Sequence, residues 1–591
     1  MPTFASASAT LCEAFQATVA RDPDKIAIRT PGGASTLTFR EWDARVRRLA
    51  AGFAALGVGR GDRVALMMTN RPEFYPIDVA LQHLGAIAFS VYNTSSPEQI
   101  DYVLVDSGAR VIVCEEQFVP VIRKGVAGTP TVRIVCLDAA GPDTVTLEEV
   151  GARGLDSFDF ESAWRAVQPD DVLTLIYTSG TTGDPKGVQL THANMLAMVD
   201  GTEQLTTATA EERVLSFLPS AHAADRWSAI YMLEVIGNQV TTVADARTEF
   251  AAALVDVRPT VFGAVPQVWQ KLKAGIELRV GEASGARGAL VDWALWAGRR
   301  ASDMRLDGDS VPWPLRLQAE LADRLVLSEL RAAVGLDRVR LALSGAAPIS
   351  PEVLRFFNGV GIAVSDAWGM SELAGMATMS PPGKVRLGTV GAIVPGSEIR
   401  IAEDGEVLVR GPIVMKGYLN KPDKTAETID ADGWVHTGDI GALDDQGYLR
   451  IVDRKKELII NAAGKNMSPS VIENWIKAFA PLIGQAVAIG DNRKYNVALI
   501  CLDPDAAAIH ARQAGLTCSA ELLATDPGVH AIVETAVAQA NTKLSRVEQI
   551  KRFAIVPDFW QPGTDVLTPT MKLRRKPIAE RYAGLIEGLY R

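Results

Sequence analysis

Along the first 350 residues, two periodicities alternate. Short continuous apolar runs read as buried strands, and the stretches between them place apolar residues three and four apart, as helices do. The runs are Arg63 to Met68, Ala86 to Val91 and Val111 to Cys114, separated by helical stretches from Pro72 to Gly85 and from Pro97 to Gly108. Strands that are apolar on both faces and joined by helices predict a mostly parallel sheet covered on both sides. Upstream, Leu11, Phe15 and Val19 share a helical face. The runs 26–29 and 36–39 flank a Pro31-Gly32-Gly33 turn and predict a hairpin, and Arg40 to Leu56 is an amphipathic helix that stops at Gly57. The signal is weaker over 129–171.

The rhythm then resumes. Val172 to Tyr177 reads as a buried strand, with a helical pattern starting near Thr191. Arg213 to Leu218 is a strand, His222 to Ile236 an apolar helix, Thr260 to Val265 a strand, and Pro266 opens a helix to about Ala274. Between 275 and 338, Trp293, Trp296, Leu317, Leu321, Leu325 and Leu330 recur at helical spacings. They predict a packed helical insertion in preference to a membrane-facing one. Arg340 to Ser344 is a strand ending at Gly345. Short β runs and glycines over 387–453 predict an antiparallel β subdomain. Residues 457–591 read as a separate small α+β domain, with helices at 469–480 and about 528–546 and strands at 485–489, 496–502 and 552–556. The fold class is therefore α/β: a large domain of mixed, mostly parallel sheets with a β subdomain, then a small α+β domain.

Composition narrows the class of protein. Of 591 residues, 48% are hydrophobic and 22% charged, which fits a globular protein with an ample core. A net charge of −10 argues against a nucleic-acid partner. Cys12, Cys114, Cys136, Cys501 and Cys518 are odd in number, scattered and without a CxxC, as in a reducing compartment. No histidine pair has zinc-ligand spacing. The start lacks a signal-peptide pattern, and no stretch approaches the roughly 18 apolar residues of a membrane span. The expected location is cytoplasmic; peripheral membrane contact and a homodimer are both left open by the sequence.

Candidate chemistry begins at Tyr177-Thr178-Ser179-Gly180-Thr181-Thr182-Gly183-Asp184-Pro185-Lys186-Gly187-Val188. Glycines free backbone N–H groups to converge, hydroxyls add donors and Lys186 adds charge, which suits a phosphate chain. The Walker pattern is excluded, because Gly187 follows Lys186 where that motif needs Ser or Thr. Further clusters are Ser344-Gly345-Ala346-Ala347-Pro348, Asp366-Ala367-Trp368-Gly369-Met370-Ser371-Glu372, His436-Thr437-Gly438-Asp439 with Asp453-Arg454-Lys455-Lys456-Glu457, and Leu567 to Lys576. Each alone has a plain alternative: a tight turn, a core tryptophan with a helix cap, an Asx-turn with a solvated basic loop, a basic tail.

Together, the clusters resemble the adenylate-forming superfamily of acyl-CoA synthetases, peptide adenylation domains and luciferases. The opening stretch matches that family's Tyr-Thr-Ser-Gly-Thr-Thr-Gly-x-Pro-Lys-Gly motif at every fixed position, and the resemblance runs from Leu11 to about Tyr582. Bacterial long-chain fatty acyl-CoA synthetases are the nearest subgroup, through Val257 to Phe262, Val265 to Trp269, Leu218 to His222, Gly464-Lys465-Asn466 and Leu567 to Lys572. The resemblance implies ATP-dependent activation of a long-chain fatty acid to acyl-AMP, then transfer to coenzyme A. Its alternatives are a fatty acyl-AMP ligase serving a carrier protein, or a medium-chain or aryl acid ligase.

It also implies roles. Thr178, Ser179, Gly180, Thr181, Thr182, Gly183 and Lys186 wrap ATP phosphates, Glu372 ligates Mg²⁺, and Lys572 bridges the carboxylate and α-phosphate. Thr181, Lys186, Glu372 and Lys572 are the implied catalytic set. Gly345, Ala346, Ala347, Asp366, Ala367, Trp368, Gly369, Met370 and Ser371 form the adenine pocket, with Trp368 stacking; Asp439 and Arg454 serve the ribose. An acyl tunnel is expected along the 222–236 helix, Phe262-Gly263-Ala264-Val265 and Ser344-Gly345, with His222 either at its carboxylate end or structural, and Gly464 facing the site. Trp227 is read as core in preference to a gate. Residues 1–455 and 456–591 are the implied domains, with a hinge at Lys456. The chain departs from the family at Trp368, usually Tyr, at Ser371, usually Thr, and at Met571, where many relatives have Gly.

Overall fold

Two large sheets and a smaller antiparallel one lie within the first 454 residues of the computed structural model. The structure describes residues 3–128, 132–139, 141–154, 157–178, 184–461, 465–568 and 571–591. One sheet has eight strands. Its middle is parallel, with Ile87–Ser90, Arg63–Met67, Val111–Cys114 and Arg133–Cys136 side by side. These continuous apolar runs are buried nearly throughout, as helices on both faces require.

Val172–Thr178 joins that sheet parallel to Ile87–Ser90 and then turns back as an antiparallel strand, Lys186–Thr191, with Thr178 opposite Lys186. The helix begins at His192, capped by Thr191, as expected. The strand before it was not expected. Lys, Gly and Gln hide it from apolar-run counting; pairing to Val172–Thr178 on one side and Gly417–Tyr418 on the other makes it a strand.

The second sheet has nine strands, and its inner five, Gln239–Thr242, Arg213–Ser216, Val261–Ala264, Leu341–Ser344 and Val364–Trp368, are parallel. Ala264, Ser344 and Asp366 align at their carboxyl ends. The residues singled out for chemistry follow those ends, where open α/β sheets carry their ligands.

Three expectations change. First, 222–236 is not one α-helix: Ala223–Asp225 leads into a π turn, Arg226–Tyr231, and then Met232–Ile236. The wide turn accompanies the burial of Arg226, whose Nη1 donates to Asp78 Oδ1 at 2.9 Å and Tyr231 Oη at 3.0 Å. Second, the insertion is helical, with Pro266–Gly281, Gly285–Leu306 and Trp313–Ala322, but one stripe is not packed. Trp293 and Leu330 meet the core, whereas Trp296, Leu317, Leu321 and Leu325 are exposed. Helical spacing puts residues on one face but does not say what covers it. Third, Phe262 faces away from the cavity described below.

Glu398–Ile401, Glu406–Arg410, Val435–Leu443 and Leu449–Arg454 form the expected antiparallel subdomain. Beyond it, Ile483–Ile489, Asn496–Leu502 and Ile550–Ile555 make a three-stranded sheet with its own core, covered by Pro469–Ala478 and Pro527–Asn541. Among the described residues, no helix is long and apolar enough to cross a membrane.

Candidate active site

A cavity of about 930 Å³ opens where these parts meet. One wall is a single face of the nine-stranded sheet. Residues two apart line it: Val261, Gly263 and Val265 on one strand, Leu341, Leu343 and Gly345 on the next. Ala264 and Ser344, at the strand ends, line it too, but alternation sends the intervening side chain of Phe262 to the other face. Its ring packs edge-on to Trp269 at 5.2 Å and stacks near Phe217 at 6.0 Å, so it belongs to the core behind the sheet and does not line the cavity. Trp227 is buried in the core, as read, and also lines the cavity; among the described residues its Nε1 has no partner.

At the carboxyl ends, polar groups converge on the cavity. Thr178 and Lys186 line it from the hairpin. Ser179, Gly180, Thr181, Thr182 and Gly183 lie outside the described residues, as does Gly464. The Lys186 ammonium stands 4.3 Å from the centre of the Tyr418 ring, and the Tyr418 hydroxyl donates to buried Glu372 Oε1 at 2.7 Å. Tyr418 therefore links the loop's cation to the cluster's carboxylate. Sequence reading missed it: it sits in no motif, and only strand pairing brings it here.

Ala346, Ala367, Trp368, Gly369, Met370 and Ser371 also line the cavity; Ala347, Asp366 and Asp439 do not. Burial raises the Asp366 carboxyl well above the usual carboxylate range. Gly369 cannot be replaced, since a Cβ would come within 2.5 Å of the Gly375 carbonyl. Trp368 Nε1 donates to Asp439 Oδ2 at 2.7 Å, and Arg454 Nε lies 3.3 Å from Asp439 Oδ1. Residues 439 and 454 are cross-strand partners. Burial raises the Asp439 pKa, and the charges of Arg454 and Lys572 with the Trp368 bond oppose that rise.

Lys572 lines the same cavity and exposes its side chain within it. The protein around it strips water from the ammonium and lowers its pKa; Arg454 adds to this, while Asp439, Glu372 and Glu457 pull back. Met571, before it, has φ +64°, the left-handed region that favours glycine. Glycine suits that conformation, and the chain holds methionine there through Met571 N–H to Thr568 O at 2.9 Å and Lys572 N–H to Thr568 Oγ1 at 2.9 Å. Arg575 anchors the segment, with Nη1 and Nη2 on Glu473 at 2.6 and 2.9 Å and Nε on Glu457 at 3.1 Å. His222 lines the cavity, accepts the Ala224 N–H at Nδ1, and is lowered to about 4 by burial and by the Lys572 charge.

The site thus offers cations for phosphates, an aromatic ring with a bonded carboxylate for a nucleoside, and an apolar slot. Ser344 Oγ, on the cavity wall, is buried and without a partner among the described residues. Glu372 alone fits the hold a magnesium ion takes when phosphates supply its other oxygens. No group of three acidic, His or Cys ligands occurs among the described residues.

These features define an enzyme of the AMP-binding family, and the chain belongs to it. The AMP-binding enzyme model matches residues 15–419 and the AMP-binding enzyme C-terminal domain model matches residues 456–591. The chain is 56% identical over 452 residues to the fatty-acid–CoA ligase fadD11 of Mycobacterium tuberculosis, covering 76% of this chain and 79% of that one. It is 36% identical over 584 residues to the long-chain-fatty-acid–CoA ligase FadD15 of the same species, covering 96% and 95%. In fold it is similar to the adenylation domain of a carboxylate reductase from Mycobacterium chelonae, with a TM-score of 0.77 at 21% identity, covering 98% and 91%.

Proposed function

We propose that the protein is a long-chain fatty acid–CoA ligase that works through acyl-AMP. One observation carries the reading: an apolar slot on the sheet face opens onto Lys186, Glu372, Trp368 and Lys572 in one cavity. The likeness to relatives named as fatty-acid–CoA ligases supports it.

In the first half-reaction a carboxylate oxygen bonds to the α-phosphorus of ATP, the bond to pyrophosphate breaks, and acyl-AMP forms. Two anions must meet, so fixed cations lower the barrier. Lys572 sits between the carboxylate and the α-phosphate, Lys186 holds the outer phosphates, and Trp368 with Asp439 and Arg454 holds the nucleoside. Glu372 would hold Mg²⁺, and the ion would supply positive charge against the phosphate oxygens. His222, kept neutral, adds no second cation beside the carboxylate.

In the second half-reaction the sulfur of coenzyme A bonds to the acyl carbon, the carbon–oxygen bond breaks, AMP leaves, and the thiol proton passes to solvent. Lys572 occupies the cavity that the thiol must enter. Residues 456–591 therefore turn about Lys456, which lines the cavity, and withdraw Lys572 before the thiol arrives. Pyrophosphate release across a panel of carboxylic acids, with and without coenzyme A, tests the reading. Long-chain acids release it fastest and yield thioester only with coenzyme A. Preference for aryl acids, or thioester only on a carrier protein, would refute it.

A further inference from the structure

The far end of the cavity is polar. The slot runs down the sheet face past Val261 and Leu341 to the amino ends of the strands, where Thr202, Thr206, Glu212 and Asn238 line it. Glu212 is satisfied there by Arg340, whose Nε donates to its Oε1 at 3.1 Å. Thr202 Oγ1 and Thr206 Oγ1 give their protons to helix carbonyls, Met198 O at 2.8 Å and Thr202 O at 2.7 Å, and keep lone pairs free. Asn238 differs from all of these. It is 3% exposed, yet neither Nδ2 nor Oδ1 has a partner among the described residues. A buried amide left unpaired on both atoms is costly, and such groups in native folds have a reason.

We propose that the acyl substrate carries a hydroxyl near its distal end and that the Asn238 carboxamide recognises it; this rests on the fatty-acid reading above. A hydroxyl is one donor and one acceptor. It accepts from Nδ2 and donates to Oδ1, satisfying both orphaned atoms at once. An unsubstituted methyl end leaves both unpaired. The strand register gives the depth. Val240 stands level with Val214, Val261 and Leu341, so Asn238 lies two residues below Leu341 and Gly345 four above it. Six residues of strand span roughly 20 Å. Asn238 also lies three strands across the sheet from Gly345, roughly 14 Å sideways, so the straight-line path is roughly 25 Å; an extended chain advances about 3.5 Å per three bonds, and the path takes an acid of roughly twenty carbons.

The test is pyrophosphate release by the wild-type protein with saturated acids of about twelve to about twenty-two carbons, each paired with its ω-hydroxy counterpart. The hydroxy acid nearest the matching length is expected to exceed its unsubstituted partner in kcat/KM by about tenfold or more. Asn238→Leu should abolish or reverse that preference while still turning over unsubstituted acids. The wild-type panel decides alone should the variant fail to fold. Equal or better rates with unsubstituted acids at every length overturn the proposal and leave the ligase reading standing; water then satisfies Asn238. A preference that survives Asn238→Leu also overturns it. No pyrophosphate from any acid removes the ligase reading and this one together.

Discussion

Lys572 is the residue on which the chemistry turns, and its surroundings set its pH behaviour. A lysine whose pKa is lowered in the fold gives up its proton at a lower pH than a free lysine does. Acyl-AMP formation should therefore decline on the alkaline side before the ordinary lysine range near about 10.4 is reached. Lys572→Arg keeps its charge beyond that range, so its profile of pyrophosphate release against pH should lose the alkaline limb, at a lower plateau. A second residue-scale expectation concerns Trp368. Trp368→Phe keeps a stacking face but cuts the 2.7 Å bond to Asp439. KM for ATP should rise roughly tenfold, as expected for one hydrogen bond to a charged group, with a smaller effect on kcat; steady-state kinetics at saturating acid checks this. Most of these residues could be read from sequence because motif order brackets them. Tyr418 could not, because its link between Lys186 and Glu372 exists only after Gly417–Tyr418 pairs with Lys186–Thr191.

At the scale of elements, the parity of one strand decides what touches the acyl chain. Gly263 and Phe262 are neighbours on opposite faces of Val261–Ala264. A Cβ at Gly263 would meet only Leu343 Cβ, at 4.0 Å, with open space beyond. Gly263→Leu should fill the slot and move the preferred acid to shorter chains, read as a shifted optimum in a chain-length series. Phe262→Ala should instead cost about 3–5 kcal/mol of stability through lost packing, with the chain-length optimum unmoved. Sequence periodicity found the strand but not its facing, since a one-residue shift of phase exchanges the two sides. The same limit explains the exposed stripe of Trp296, Leu317, Leu321 and Leu325: spacing made the helices legible and left their neighbours unknown. The π turn at Arg226–Tyr231 goes with the bond from Arg226 to Asp78, 148 residues away, which no local pattern reports.

For the whole molecule, alternating strands and helices made the parallel sheets and the small C-terminal sheet legible, because most of their strands are apolar runs buried on both faces. What the pattern left out is how three sheets and Lys572 come together around one cavity. Acid activation needs Lys572 inside that cavity, and thioester formation needs it gone. The most direct measurement separates the two half-reactions in Lys572→Ala. Supplied with ATP and a long-chain acid, the variant should release pyrophosphate about 10²–10³-fold more slowly than wild type. Supplied with preformed acyl-AMP and coenzyme A, it should make thioester at close to the wild-type rate. Wild-type pyrophosphate release by the variant, or equal loss of both half-reactions, would contradict the account.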